Sequence, residues 1–307
     1  MTMADFPVKS NIISPEWCVA QTTQPALWRP FGYPCESCQG YGVTTNVMDQ
    51  FRLDGKVAVV TGSGQGIGRA IAFALADAGC DVVVNSRRRG DLEVTAAGIE
   101  ERGQRALILD GDIRDFSQTI AEQTMAEFGR LDVWVNNVGG SDEKATRKLV
   151  DTTDEVFRSQ LELNLTTAFQ GAKAAASCME DGGVIINISS GAGMRGSPFT
   201  GPYAAAKAGM NNMTETLALE LAPKIRVNAI APGPVATEAY EEVLGMDAER
   251  QQMVAQSIPL QRIGHPDDIA TAVVYFASPA ASWITGQLLL VAGGRTHRTV
   301  SYTNNGV

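Results

Sequence analysis

Histidine is almost missing from this chain: 307 residues hold two, His265 and His297, and neither sits in a pattern with a partner. No catalytic part is assigned to either. Cysteine is also scarce and odd in number, five in all, a usage that points to a reducing compartment, with the cytoplasm as the default setting. Cys35 and Cys38 form a lone CxxC pair. A structural zinc site takes four ligands, and no second pair or nearby histidine supplies the rest, so no metal is expected. No apolar run approaches ~18 residues, so no membrane span is expected. The first ten residues lack the basic and apolar regions of a secretory signal. Positive charge is in deficit: a formal net charge of -9 argues against a nucleic-acid surface, which needs a basic footprint.

What remains is an ordinary globular composition, 44% hydrophobic and 19% charged, enough for one large α/β domain. Residues 1–52 stand apart as an irregular N-terminal extension, with prolines, Trp17, Trp28 and the cluster Arg29-Pro-Phe-Gly-Tyr33-Pro-Cys35. Its aromatics predict that it packs on its own domain or on a neighbouring subunit. From residue 53 to 295 short apolar runs alternate with helical spacing. Strands are expected at 57–60, 81–84, 106–109, 131–135, 184–188, 225–230 and 286–291. Helices are expected at 69–78, 91–102, 115–128, 151–179, 203–221 and 266–277. Continuously apolar strands alternating with helices mean a parallel sheet covered on both faces. The expected fold is α/β: a doubly wound, Rossmann-type parallel sheet of about seven strands in a single domain, followed by a polar tail, 296–307.

The first strand runs into Thr61-Gly62-Ser63-Gly-Gln65-Gly66-Ile67-Gly68 and then a helix. Backbone N–H groups of such a turn, and the positive end of the helix behind it, face an anion. Gly62, Ser63, Gln65, Gly66, Ile67 and Gly68 are therefore the candidate cradle of a dinucleotide pyrophosphate, and the missing Lys-Ser/Thr pair excludes a P-loop. The second strand ends at Asn85-Ser86-Arg87-Arg88 with no carboxylate in the place that holds a ribose 2′-hydroxyl. Arg offers a fork for phosphate, so Arg87 and Arg88 favour NADP(H) over NAD(H).

Farther on, Ser190 closes an apolar run, a glycine-rich loop follows, and a helix carries Tyr203 and Lys207. Positions four apart share a helix face. An ammonium beside a phenol favours the phenolate, which predicts a Tyr203 pKa lowered by Lys207, with the Ser190 hydroxyl holding an oxygen nearby.

These motifs together resemble the short-chain dehydrogenase/reductase family over residues 53–294. Thr61-Gly62-x-x-x-Gly66-x-Gly68 resembles its cofactor signature, and Asn136-Asn137-Val138-Gly139 its Asn-Asn-Ala-Gly segment, with Val138 in place of Ala. Asp112-Ile113 resembles its adenine-contacting pair, and Pro232-Gly233-Pro-Val235-Ala-Thr237 its segment beside the nicotinamide. Asn164, Ser190, Tyr203 and Lys207 fall where the family carries its catalytic residues. The resemblance implies hydride transfer between a nicotinamide and a secondary alcohol or ketone. In it Tyr203 moves the proton, Lys207 lowers the phenol pKa and binds ribose, Ser190 orients the substrate oxygen, and Asn164 holds a water that leads to Lys207. It further implies a homotetramer or homodimer. Residues 238–262, with helical spacing and Gly245 as hinge, are expected to form a lid. Tyr240, Met194 and Phe199 suggest an apolar, steroid-like small molecule, and Arg195 is the cation available to an acidic one. A 3-oxoacyl-carrier reductase is an alternative substrate reading, for which the acidic chain offers only scattered cations. A non-catalytic nucleotide-binding scaffold is the alternative of another class, and it has no need of all four catalytic-type residues.

Overall fold

The computed structural model describes residues 46–141, 145–238 and 248–294. Seven stretches rich in Val, Ile and Leu become strands: β1 (Val57–Thr61), β2 (Asp81–Ser86), β3 (Ala106–Asp110), β4 (Val133–Asn136), β5 (Gly183–Ile188), β6 (Ile225–Pro232) and β7 (Leu288–Val291). They pair in parallel in the order β3-β2-β1-β4-β5-β6-β7. Parallel neighbours need crossovers. Helices supply them: α1 (Gly66–Asp77), α2 (Arg89–Glu100), α3 (Ile113–Phe128), α4 (Asp154–Leu161), α5 (Thr167–Cys178), α6 (Gly201–Leu221), α7 (Ala248–Gln256) and α8 (Pro266–Ala277). The expected doubly wound α/β sheet is the one that forms.

Alternate strand residues serve opposite faces. Ala58, Val60, Val82, Val84 and Val135 meet Ile71 and Leu75 of α1 and Ile269 and Val273 of α8. Val57, Val59, Val83, Trp134 and Ile185 meet Ile120 of α3, Ala172 of α5 and Ala218 of α6. Both faces are thus sealed, which is why the strands read as unbroken apolar runs. Each large aliphatic side chain buried this completely contributes ~1.5–3 kcal/mol.

The structure departs from the sequence reading in a few places. Helix α2 begins at Arg89 rather than Asp91, so Arg89 reaches both Glu93 and Asp110 from the first turn. The long helix expected over 151–179 is divided. Thr153 caps α4 by accepting from the Val156 N–H, and one turn of π-helix, Glu162–Thr166, separates α4 from α5. That wide turn carries Asn164. Residues 47–51, expected to be irregular, form a 3₁₀ turn whose Phe51 ring lies 6.1 Å from that of Tyr275. The last strand begins at Leu288 rather than Gly286, which has φ +70° and sits in the preceding turn. The Cys35–Cys38 pair, Gly245 and Tyr240 of the expected lid, and the tail from 296 lie outside the described residues. No helix among the described residues is long and apolar enough to cross a membrane.

Strand order reverses between β1 and β4, which lie side by side while the chain has travelled out to β3 and back. The loops leaving their carboxyl ends diverge there and open a crevice.

Candidate active site

At the carboxyl end of β1 the chain turns through Gly62–Gln65 into α1. Gly68 permits the tight geometry: a Cβ there would fall on the Gly62 carbonyl and against the Asn137 side chain. The turn is braced from behind. Ser63 is fully buried, donates from Oγ to Val60 O at 2.9 Å and accepts from Asn85 N at 3.0 Å. Arg69 donates to Gly64 O and, at 3.2 Å, to Thr95 Oγ1, which itself donates to Ser63 O at 2.9 Å. Asn137 donates to Thr61 O at 2.9 Å and Gly62 O at 3.2 Å. Gln65 precedes α1 without a capping side-chain bond. The first N–H groups of α1 and the positive helix end therefore face the crevice.

On the other side β5 ends at Ile188, and Ser190 leads a short 3₁₀ turn, Gly191–Met194, toward α6. Pro202 in the first turn starts α6 at little cost, and Tyr203 and Lys207 then share its inner face. The Ser190 hydroxyl stands near the Tyr203 phenol and pulls its pKa down. Lys207 is buried, donates from Nζ to Ile188 O at 2.7 Å and lies 5.9 Å from the Tyr203 ring centre. Burial pushes Lys207 down to about 7, because a buried ammonium loses its hydration. The same burial raises the Tyr203 phenol, with the nearby Ser190 hydroxyl pulling the other way. This corrects the expectation of a phenol lowered by Lys207. Desolvation sets the direction, and Ser190 supplies the opposing pull.

A cavity of about 720 Å³ joins the two sides. Gly62, Gln65, Gly66, Ile67 and Gly68 line one end, and Ser190, Tyr203 and Lys207 the other. Gly139, Pro232, Gly233, Val235 and Thr237 line it as well, Thr237 standing against Gly66. The remaining predicted residues do not line it. Ser63 is the brace described above. Asn136 is buried in a chain of side chains: it accepts from Trp134 Nε1 at 2.7 Å and donates to Asn187 Oδ1 at 2.9 Å, and Asn187 donates to Thr214 Oγ1 at 2.9 Å. Its amide is spent inside the sheet, and Asn137, one residue on, lines the cavity instead. Val138 packs against the α3 face of the core.

Asp112 caps α3 through Arg114 N at 3.1 Å and pairs with the Arg114 guanidinium at 2.6 Å. That pairing holds its carboxyl down to about 2. Ile113 is buried beside it. Arg88 is exposed and held by Gln65 at 2.5 Å and Asp91 at 2.6 Å. Arg87, also exposed, makes no hydrogen bond or ion pair among the described residues and stands in the field of Asp112. Asn164 is fully buried and clasps the 139–140 turn, accepting from Gly140 N at 2.8 Å and donating to Gly140 O at 3.0 Å. A Cβ on Gly139 would meet both Asn164 Oδ1, at 2.6 Å, and Lys207 Nζ, at 3.0 Å, so these three groups are neighbours. Ile188, Leu290 and Ala292 also line the cavity. No motif marks them, since as strand-end residues they read as core.

The residues present fit a dinucleotide. The glycine turn presents a bare helix end to an anion, and the cavity stretches from that turn to a phenol and an amine without a break. The family model described as enoyl-(acyl carrier protein) reductase matches residues 62–296. An oxidoreductase of Mycobacterium tuberculosis is 42% identical over 255 residues, 81% of this chain and 95% of the relative. The 7alpha-hydroxysteroid dehydrogenase of Escherichia coli is 37% identical over 251 residues, 80% of this chain and 96% of the relative. A solved 7alpha-hydroxysteroid dehydrogenase, complexed with NADH and 7-oxo glycochenodeoxycholic acid, superposes with a TM-score of 0.76 at 36% identity, over 83% of this chain and 99% of that one. By these matches and this fold, the chain belongs to the short-chain dehydrogenase/reductase family of NAD(P)-dependent oxidoreductases.

Proposed function

We propose that this enzyme moves a hydride between NADP(H) and the carbon of a secondary alcohol or ketone with an apolar, steroid-like body. The observation that carries the reading is the gathering of Ser190, Tyr203 and Lys207 in one cavity with the glycine turn, the Lys207 amine 5.9 Å from the Tyr203 ring centre. A bound nicotinamide supplies or accepts the hydride. The chain's own residues do the rest. Tyr203 gives the proton to the nascent alkoxide or takes it from the alcohol. The Ser190 hydroxyl holds the substrate oxygen beside that phenol. Lys207, with a pKa of about 7, takes and returns a proton near neutral pH, which is where a general acid–base group works best. Asn164 keeps the 139–140 turn beside Lys207 and holds a water on the route from that amine to solvent.

Gly62, Gln65, Gly66, Ile67 and Gly68 hold the pyrophosphate, and Pro232, Gly233, Val235 and Thr237 flank the nicotinamide. Arg87 takes the 2′-phosphate: its guanidinium has no partner among the described residues, whereas Arg88 is committed to Gln65 and Asp91. Met194, Ile188 and Leu290 give the substrate end an apolar wall, and the likeness to hydroxysteroid dehydrogenases supports a steroid. Assembly into a homotetramer or homodimer is part of the reading, supported by the exposed Phe169 of α5 and Leu219 of α6. Sedimentation of the purified protein as a monomer would remove that part alone.

The test is a panel of ketones: a 7-oxo bile acid, an acetoacetyl thioester and phenanthrenequinone, an activated planar diketone. Each is mixed with NADPH or NADH and followed by loss of reduced-nicotinamide absorbance. The expected result is fastest turnover of the steroid and lower KM for NADPH. Preference for the thioester moves the substrate to the acyl class. No turnover with any member overturns the enzyme reading in favour of a nucleotide-binding scaffold.

A further inference from the structure

We propose that Asn211 is the positioning residue that fixes the Ser190 hydroxyl against Tyr203. The inference rests on the catalytic reading above and names a part that no sequence motif marks. Asn211 lies on α6 one turn beyond Lys207, so Tyr203, Lys207 and Asn211 follow one another at four-residue spacing along one face. Its side-chain amide bridges the chain on both sides of Ser190. Oδ1 accepts from the Ser189 hydroxyl at 2.5 Å, and Nδ2 donates to Gly193 O at 3.2 Å. Within that bracket the turn closes on itself, because Gly193 N donates to Ser190 O at 3.0 Å and Ala192 N to Ser190 Oγ at 3.1 Å.

Steric fit points the same way. A Cβ on Gly193 would lie 2.7 Å from the Lys207 carbonyl carbon and 2.9 Å from Ala208 N. The loop is therefore seated on the α6 backbone at a distance only glycine allows. Ser189 N also donates to Ile230 O at 2.7 Å, which ties the start of the loop to the sheet. Without the amide, Ser190, Gly191 and Ala192 keep only their bonds within the turn, the contact of Ser190 with the phenol, and a long tie to α6 from Ser189 Oγ to Lys207 O at 3.4 Å, so the loop is freer to shift. A shift moves the Ser190 oxygen relative to a phenol that is itself fixed on α6. A general-acid constellation loses rate when its hydrogen bonds are displaced by fractions of an ångström. Asn211 touches neither substrate nor cofactor in this account; it acts through Ser190.

The experiment is a double-mutant cycle on the full chain, with phenanthrenequinone and NADPH as probes. Asn211→Ala is expected to lower kcat by about tenfold while the NADPH dissociation constant stays within about twofold. In a Ser190→Ala background the same change is expected to cost less than about twofold, because the residue it positions is already gone. A merely structural role predicts the full loss in both backgrounds, and that result overturns the proposal. So does an Asn211→Ala enzyme with parental kcat. Where Asn211→Ala does not fold, Ser189→Ala removes one arm of the bracket with a smaller lesion, and its kcat loss must likewise vanish in the Ser190→Ala background. Tyr203→Phe separates the levels of the argument. Turnover retained by Tyr203→Phe overturns the catalytic reading and the positioning role with it. Turnover lost there but unchanged in Asn211→Ala overturns the positioning role alone.

Discussion

Lys207 Nζ lies 2.7 Å from the carbonyl oxygen of Ile188, the last residue of β5. The one bond couples the helix that carries the phenol to the strand end that carries Ser190. It also leaves a buried amine with a carbonyl as its chief partner and, among the described residues, no carboxylate to offset the loss of water. The amine therefore gives up its proton several units below the ordinary lysine value of 10.5, at about 7.

That depression has a sign for stability. Below pH ~7 Lys207 is charged both folded and unfolded, and the full cost of burying the charge is present. As pH rises toward 10.5 the folded form has already released its proton, and the cost fades. The Tm of Lys207→Met minus that of the parent is therefore expected to be more positive at pH 6 than at pH 10. Thermal melts at the two pH values check it, and a difference that is flat or larger at pH 10 would contradict the depressed pKa.

Cofactor preference is expected to reside in Arg87. Arg87→Ala should weaken NADPH by about tenfold, equivalent to ~1.4 kcal/mol, and leave NADH within about twofold. Arg88→Ala should change the ratio less, since Arg88 is already paired with Asp91 at 2.6 Å. Fluorescence titration of both cofactors decides it; equal losses for NADPH and NADH would remove the 2′-phosphate role.

Asn136 makes a contrasting prediction. Its amide completes the Trp134–Asn136–Asn187 chain inside the sheet, so Asn136→Ala leaves buried donors and acceptors unpaired, at ~1–3 kcal/mol each. Urea denaturation should show the loss, while cofactor affinity in the folded fraction should stay near that of the parent. A variant of parental stability with weakened cofactor binding would restore the reading of Asn136 as a ligand.

The fold was legible because its evidence is local and repeated. Val57–Val60 and Val184–Ile188 are short apolar runs bounded by turn residues, which read as strands buried on both faces, and Gly62–Gly68 after β1 reads as a tight turn into a helix. Site residues placed by motif arrived at the cavity where the motif has a steric reason, as with Gly68, Tyr203 and Lys207. Motif position says nothing of which neighbours hold a side chain. Asp112 is claimed by Arg114, Ser63 by Val60 and Asn85, and Asn136 by Trp134 and Asn187. Part of that competition is local, two or three residues along the chain for Arg114, Val60 and Trp134; the rest comes from Asn85 and Asn187, 22 and 51 residues away, which spacing along the chain does not encode. The same holds for the phenol: proximity of an ammonium argued for a lowered pKa, but burial outweighs it. The π turn at Glu162–Thr166 carried no signal at all, since its residues read as ordinary helix.

Tyr203→Phe tests the account most directly, because it removes one oxygen, the one beside the Ser190 hydroxyl, and almost nothing of the packing. Single-turnover reduction of phenanthrenequinone by NADPH should slow by about 10²–10⁴-fold, the range for removal of a positioned proton donor, with the NADPH dissociation constant within about threefold of the parent. A variant that reduces the ketone at a near-parental rate would contradict the assignment of the phenol as proton donor.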